Sequence, residues 1–541
     1  RPPRSTLSSS SAASDVYKRQ DRTLSDEVRV IWDLRINNAD GHVLNHPPAL
    51  TPRHVEIARA ILWWDGRIPF VIVLMAKLDV AGAFTLVWLR PQDCGKVSTE
   101  IGVEAWGLEP EDALAAVSLT LEFGGCGSPG EWVPWSWALQ EAHSRCYPAE
   151  PLWNGAECFS SSYLVDDQGL YEALIGRRPW MSKRCAKKKT RCLLGEGAAN
   201  DDKEELEGKP GTEQTMWGLD FCTHPRKTIG MPEAKLIKAQ YTYGDPEFDY
   251  GVMKVAVNSV QKARGLTEWF QIVQPTLRPW LKVFDGLLKG VKPGQVFIYR
   301  SEETKELWEE FADLIESFRI MVARPELWAQ DFTVSLVGLL APEERLAIRS
   351  EAARLVWAGG DATLEVFAFI DWTFKKYFML VVDAFFMRLT DIIGTEDKKL
   401  IIAVSELMVI VIGAMTAGKS WEGRLVFYVG DNQNVITWLE KRQAGNIYAR
   451  FLLILLRMVE VRYKFQVIGF YIRSRHNKTA DLLTREVKAI ADAEAERQGL
   501  EVIEGVLSIL EGFLHRGPVS YTHLRAHETG RNLVCRLLLE K

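Results

Sequence analysis

The sequence predicts a multidomain α/β (α+β) protein, and three observations carry that prediction. The chain has 541 residues, more than one hydrophobic core organises. It is 47% hydrophobic and 25% charged, a balance that excludes a disordered or fibrous chain. From residue 355 onward, short apolar runs alternate with helical patterns in the order three strands, helix, strand, helix, helix, strand, helix.

The elements follow from local pattern. "VRVIWDLR" (28–35) reads as a strand, and "PRHVEIARAILWWDG" (52–66) has helical spacing that stops at Gly66. The run 68–89 is apolar up to Lys77 and Asp79, as in a buried strand with a charged end. Helices are expected to start in 109–125 and after Pro129, with Trp132, Trp135 and Trp137 as packing residues. "ECFSSSYLVDD" (157–167) reads as a strand, 183–213 as a charged stretch, and 214–239 as a hairpin followed by a helix. Helical patterns broken by Pro and Gly fill 240–350, the clearest at 267–290. The last region has strands at 355–358, 364–372, 376–383, 423–431 and 466–474, with helices at 396–417, 434–442, 448–465 and from Thr479.

The two ends, 1–20 and 518–541, show no hydrophobic periodicity. They resemble translated adapter or vector sequence, so fold expectations rest on the residues between them, and the chain reads as a fragment of something longer. The whole chain carries −5, and both ends are basic, so the remainder is more acidic still. A nucleic-acid partner then requires a local basic groove. Candidates are "KRCAKKKTR" (183–191) and the Lys282–Lys292 stretch, although a charge run is commonly a solvated face. The eight Cys form no CxxC pair and no zinc spacing, which fits a reduced, intracellular compartment, cytoplasm or nucleus. The segment 398–419 has the length of a membrane span, but Glu406 in its middle argues against one.

Acids close the apolar strands. Asp79 follows one, and the pair Asp166–Asp167 follows another 87 residues later. Two adjacent like charges either cap a hairpin turn or share a cation. Three converging carboxylates suit two Mg²⁺ (or Mn²⁺) ions, which take oxygen ligands. The second half repeats the logic with Asp361, Glu406, Asp431 and Asp481, at gaps of 45, 25 and 50 residues. Glu406 on an apolar helix needs a reason to be buried, and a shared metal is one. Asp371 rivals Asp361 for the first position.

Together these pieces resemble a retrotransposon reverse transcriptase joined to its RNase H domain, as in a gypsy- or DIRS-type pol polyprotein. "VRVIWDLRINN" resembles the fingers strand, "KLDVAGAF" the first palm motif, and "FGGCGSPGEW" the segment backing the templating base pair. "YLVDD" resembles the double-Asp motif, and "MWGLDF" with "MPEAKL" the primer-grip hairpin leading into a thumb. "DAT", "SEL", "GDNQNVITWL" and "HNKTADLLTR" resemble RNase H. Leu164 stands where the family usually has an aromatic, Glu122 where it has Pro, and Thr484 where it has Ser.

The resemblance implies a right-hand polymerase fold followed by an RNase H-like mixed-sheet domain. Fingers and palm occupy 21–235, thumb and connection 236–350, the RNase H-like domain 351–490 and a helical tail 491–517. It implies two Mg²⁺ on Asp79, Asp166 and Asp167, and two on Asp361, Glu406, Asp431 and Asp481. Arg29 would meet the incoming triphosphate, Phe84 would exclude a ribose 2′-OH, Gly124 and Pro129 would back the template base, and Lys203 would protonate pyrophosphate. Partners would be RNA template, DNA primer, dNTPs and RNA–DNA hybrid, with no membrane and no implied oligomeric state. A decayed copy that binds nucleic acid without chemistry is the alternative.

Overall fold

The computed structural model describes residues 15–18, 24–29, 38, 46–95, 98–101, 114–122, 125–148, 157–249, 251–274, 277, 280–322, 332–341, 344–345, 355–382 and 385–514. The chain divides into two compact units, 1–227 and 228–541.

In the first unit, β1 (Asp15–Lys18) and β2 (Leu24–Arg29) pair antiparallel, with Arg29 opposite Asp15. β2 includes residues 28–29 of the strand expected at 28–35, whose residues 30–35 lie outside the described residues, and its partner comes from the segment set aside as foreign. Helix α1 (His54–Arg67) precedes β3 (Val73–Asp79). β4 (Ser98–Ile101) pairs with β5 (Leu114–Val117), so a strand stands where a helix was expected to begin. A cross-strand partner overrides the helix preference of Leu114, Ala115 and Ala116 there.

Helix α2 (Ser128–Ser144) carries Pro129 in its first turn, where a missing N–H costs nothing. It buries Trp132 but leaves Trp135 and Trp137 exposed, because helical spacing turns those two away from the buried face. β6 (Ser161–Leu164) and β7 (Asp167–Ala173) form a tight hairpin, and the sheet order is β3-β7-β6. Helix α3 (Arg178–Leu194) crosses this sheet, with Ala186 seated on Ala76, Leu78 and Leu170. α4 (Asp201–Glu207) and the hairpin β8 (Glu213–Met216) and β9 (Leu219–Cys222) complete the unit.

Two buried polar groups fix these layers. Arg178 Nε donates to Glu172 Oε2 at 2.5 Å, and its other nitrogens donate to the carbonyls of Glu157 and Cys158. Both side chains of this pair are almost fully buried, so losing one partner would strand a charge. His143, 0% exposed, ties α2 to β6 and α3 through Ser161 Oγ and Ser182.

The second unit begins with β10 (Thr228–Gly230) and α5 (Glu233–Tyr243), then β11 (Lys254–Ala256), α6 (Val257–Val273), α7 (Leu281–Leu288), β12 (Phe297–Tyr299), α8 (Lys305–Val322) and β13 (Thr333–Ser335). The helix expected over 267–290 is two helices. Their aromatic centre has Phe318 stacked on Tyr243 at 4.3 Å and edge-on to Trp280 at 4.8 Å.

A six-stranded sheet follows, in the order β18-β17-β14-β15-β16-β19. Its members in chain order are β14 (Leu355–Ala362), β15 (Val366–Asp371), β16 (Lys376–Val381), helices α9 (Phe386–Ile393) and α10 (Lys398–Ala417), then β17 (Leu425–Gly430), α11 (Gln433–Lys441), α12 (Ile447–Tyr463), β18 (Gln466–Tyr471), α13 (Lys478–Arg485), α14 (Lys488–Arg497), β19 (Glu501–Val502) and α15 (Val506–Leu514). The expected elements of this region occur in the expected order, with one helix more than expected, α9, between β16 and α10. β14 to β16 are antiparallel, while β17 joins β14, and β18 joins β17, in parallel. The segment read as a helical tail adds a strand, β19, parallel to β16.

α10 is long and apolar enough to cross a membrane, yet it lies buried against β14, β15 and α12. Gly413 permits that approach, because a Cβ there would sit 2.4 Å from the Phe369 ring.

Burial holds the His143 imidazole down to about pKa 4, with the Arg178 charge adding to the effect and the Ser182 backbone opposing it. The unfolded ring takes a proton near pH 6.5 that the folded ring refuses, so stability falls as pH drops from 6.5 toward 4. We expect a loss of about 2–3 kcal/mol across this window, read as a falling urea midpoint of the first unit's transition. His143→Gln should flatten that profile; an equally steep profile in the variant would refute the assignment.

Candidate metal and active site

Strand register builds the first site. Asp79, the last residue of β3, is directly opposite Asp167, the first of β7. Asp166 occupies the two-residue turn between β6 and β7, and its carbonyl accepts from Val80 N at 3.0 Å. The turn alternative for this pair is realised: Asp166 lies in the hairpin turn and Asp167 opens β7. Val165, the other turn residue, has φ +56°, a left-handed conformation that costs a β-branched side chain about 1–3 kcal/mol. Trp132 Nε1 donates to the Val165 carbonyl at 2.6 Å and holds the turn in place.

One oxygen from each of Asp79, Asp166 and Asp167 lies within 4.8 Å of the others, and this group can hold a metal ion. Among the described residues no other set of three or more ligand-type groups is so tight. The donors are all carboxylate oxygens, the set that Mg²⁺ and Mn²⁺ take. α4 supplies the countercharge: Lys203 Nζ donates to Asp79 Oδ1 at 2.6 Å and to Asp167 Oδ1 at 3.2 Å. Asn200, the N-cap of α4, accepts from Lys203 N at 3.2 Å and donates its Nδ2 to Asp79 Oδ2 at 2.8 Å. Burial, then the Asp167 charge, pushes the Asp166 carboxyl up. Burial also raises Asp167, against the pull of Lys203. Lys203 itself is raised: burial opposes its charge, but the two carboxylates outweigh it.

The sequence pattern missed Asn200, although an Asn followed by acids is a helix-start signature. Phe84 is 7% exposed and packs with Val80, Trp132 and Tyr163. Pro129 opens α2 beside Gly130, whose missing Cβ leaves room for the Pro47 carbonyl. Arg29 closes β2, and Gly124 lies outside the described residues. A cavity of about 200 Å³ opens beside Asp167 and Lys203 toward Trp217 and Gly218.

In the second unit Asp361 sits on β14, Glu406 in α10, Asp431 just past β17 and Asp481 in α13. Polar neighbours hold them. Thr484 Oγ1 donates to Asp361 Oδ2 at 2.6 Å, Asn432 Nδ2 to Glu406 Oε1 at 3.1 Å, and Asn477 Nδ2 to Asp431 Oδ1 at 3.3 Å. Arg485 pairs with Asp481 at 3.2 Å. Burial lifts Glu406 to about pKa 9; Asn432 opposes this, while Asp361, Asp431 and Asp481 add to it. Asp481 is raised by burial and by Asp361 and Asp431, with Arg485 opposing. All four acids therefore share one electrostatic environment, though not as tightly as the first triad.

Asp371 serves another purpose. Its carboxylate accepts from the amides of Thr373 and Phe374 and from Trp421 Nε1 at 2.7 Å, which fixes the turn between β15 and β16. Asp361, bound to the helix that carries Asp481, is the acid facing the group.

No family model and no curated protein matches the sequence. Among solved structures, a foamy viral protease-reverse transcriptase in complex with double-stranded DNA aligns over 83% of this chain, at TM-score 0.36 and 12% identity. The chain covers 63% of that protein's length.

If the triad holds Mg²⁺, adding the ion to metal-stripped protein stabilises the first unit by about 2.7 kcal/mol at a hundred times Kd. Asp79→Asn should shrink the corresponding rise in unfolding temperature. The same rise in wild type and variant would sink the metal assignment.

Proposed function

We propose that the chain is an RNA-directed DNA polymerase with an attached ribonuclease H, from a retrotransposon of the gypsy or DIRS type. The observation that carries the reading is the convergence of Asp79, Asp166 and Asp167 at abutting strand ends, within 4.8 Å of one another. The ordered motif resemblance across both units supports it, and supports the element type alone.

In this reading the three palm carboxylates, and separately Asp361, Glu406, Asp431 and Asp481, hold Mg²⁺ or Mn²⁺. Bound there, such ions supply Lewis-acid activation of an attacking oxygen and neutralise phosphate charge. The chain's own residues do the rest. Lys203, already within hydrogen-bond reach of Asp79 and Asp167, carries the proton that a leaving pyrophosphate takes up. Phe84, immobilised in its apolar cluster, gives the fixed wall that discrimination against a ribose 2′-OH needs. Arg29 meets triphosphate charge, and Gly124 and Pro129 back the template base. In the second unit Asn432, Asn477 and Thr484 orient the acids for hydrolysis of the RNA strand of a hybrid, whose 2′-OH distinguishes it from DNA. Template, primer, dNTPs and hybrid are the partners, and the setting is intracellular, in cytoplasm or nucleus. Hybrid binding through backbone phosphates falls steeply with salt.

Primer extension on poly(rA) should fall at least about 100-fold in Asp166→Asn; a well-folded wild-type chain that fails to extend would overturn the polymerase reading. Asp431→Asn should abolish cleavage of the RNA in a hybrid by a similar factor while sparing extension. Loss of both activities together in that variant would contradict two separate sites.

A further inference from the structure

A tyrosine hydroxyl without a partner lies beneath the second acid group. Tyr428, in the middle of β17 and opposite Ala358 of β14, is 1% exposed. Its Oη is closed off from solvent and makes no hydrogen bond. The hydroxyl sits between β14 and α10. A Cβ added to Gly360 would come within 2.9 Å of it and within 2.7 Å of Val409 Cγ1. Gly360 adjoins Asp361 on β14, and Val409 lies about one helical turn after Glu406 on α10. Burial, then the charges of Glu406, Asp361 and Asp431, push the phenol well above its ordinary range, so it stays an O–H donor.

An enclosed donor has to find its acceptor within the protein. Three acids act on this one, and Glu406 acts most strongly. Asp361 is already engaged by Thr484 Oγ1 at 2.6 Å and by the Asp481 carboxyl. Asp431, the weakest of the three, takes Asn477 Nδ2. Glu406 Oε1 takes Asn432 Nδ2 at 3.1 Å, and among the described residues no donor reaches its Oε2.

A buried, unpaired hydroxyl costs stability that a phenylalanine ring of the same shape would not. Such a group beside charged side chains calls for an explanation in what those side chains do. Groups that hydrogen-bond to a metal-binding carboxylate orient it, and their loss weakens the metal about 10–100-fold.

We propose that Tyr428 is a positioning residue of the second acid group, its hydroxyl the donor that Glu406 Oε2 takes up when that carboxylate shares a cation. The inference rests on the reading of Asp361, Glu406, Asp431 and Asp481 as a cation site.

Mn²⁺ binding to the full chain tests it, with free ion read by electron paramagnetic resonance. Asp79→Asn and Asp166→Asn together remove the first triad and give the parent. Tyr428→Phe in that parent should weaken Mn²⁺ about tenfold or more. Without metal, the Tyr428→Phe chain should unfold at the parent's temperature or above it, because it loses only an unpaired hydroxyl. Hybrid cleavage by Tyr428→Phe should need correspondingly more Mn²⁺ for half its maximal rate, while the rate at saturating ion stays within about twofold. Unchanged Mn²⁺ affinity would overturn the role of Tyr428 and leave the cation site standing. A lower unfolding temperature without metal would make the hydroxyl a structural bond and overturn the role as well. A parent that binds no Mn²⁺ would overturn both the role and the reading beneath it.

Discussion

Repulsion between like carboxylates is the constraint on which both candidate sites rest. Acids a few ångströms apart, in a partly desolvated setting, stand together only if something positive or hydrogen-bonding answers them. The first unit answers with charge: α4 delivers Lys203 onto Asp79 and Asp167, and its N-cap Asn200 takes the remaining Asp79 oxygen. The second answers with neutral donors, Thr484, Asn432 and Asn477, and by holding Glu406 protonated through burial. A cation entering the first group would therefore have to displace an ammonium, and one entering the second would have to displace a proton.

The scaffold serves that constraint. β3 and β7 end in register, so their terminal carboxylates cannot drift apart without breaking the ladder. Behind them the Glu172–Arg178 pair and His143 lock α3 and α2 to the sheet. In the second unit the close seating of α10, permitted at Gly413, buries Glu406 beneath the ends of β14 and β17. Packing residues far from any ligand thus decide where the acids point.

Much of this was legible in the sequence, for definite reasons. Acids that terminate strongly apolar strands are visible as abrupt changes of hydropathy, and Asp79, Asp166 and Asp431 are of this kind. Glu406 stood out because it interrupts an apolar helix. Residues that work through their neighbours did not. Asn200 looks like an ordinary cap, and its second bond to Asp79 depends on a chain reversal of 121 residues. Asp361 and Asp371 look equivalent in sequence; only the turn geometry and the Trp421 indole separate them. β5 was misjudged because Ala and Leu favour helix until a partner strand is present. Trp135 and Trp137 were misjudged because one helix cannot bury three tryptophans at spacings of three and two.

The turn at Val165 has a consequence for how sequence change can be tolerated. A glycine there would adopt φ +56° without steric conflict, though it would give up the contact of the Val165 side chain with the cluster around Trp132. It would also admit many more backbone states on either side of the native one, and Asp166, the next residue, would inherit that spread. Valine admits few, so the steric conflict works as a stop that limits angular error at the carboxylate. Drift at this position therefore trades thermodynamic ease against aim, and the indole of Trp132, far away in sequence, sets how much aim is kept.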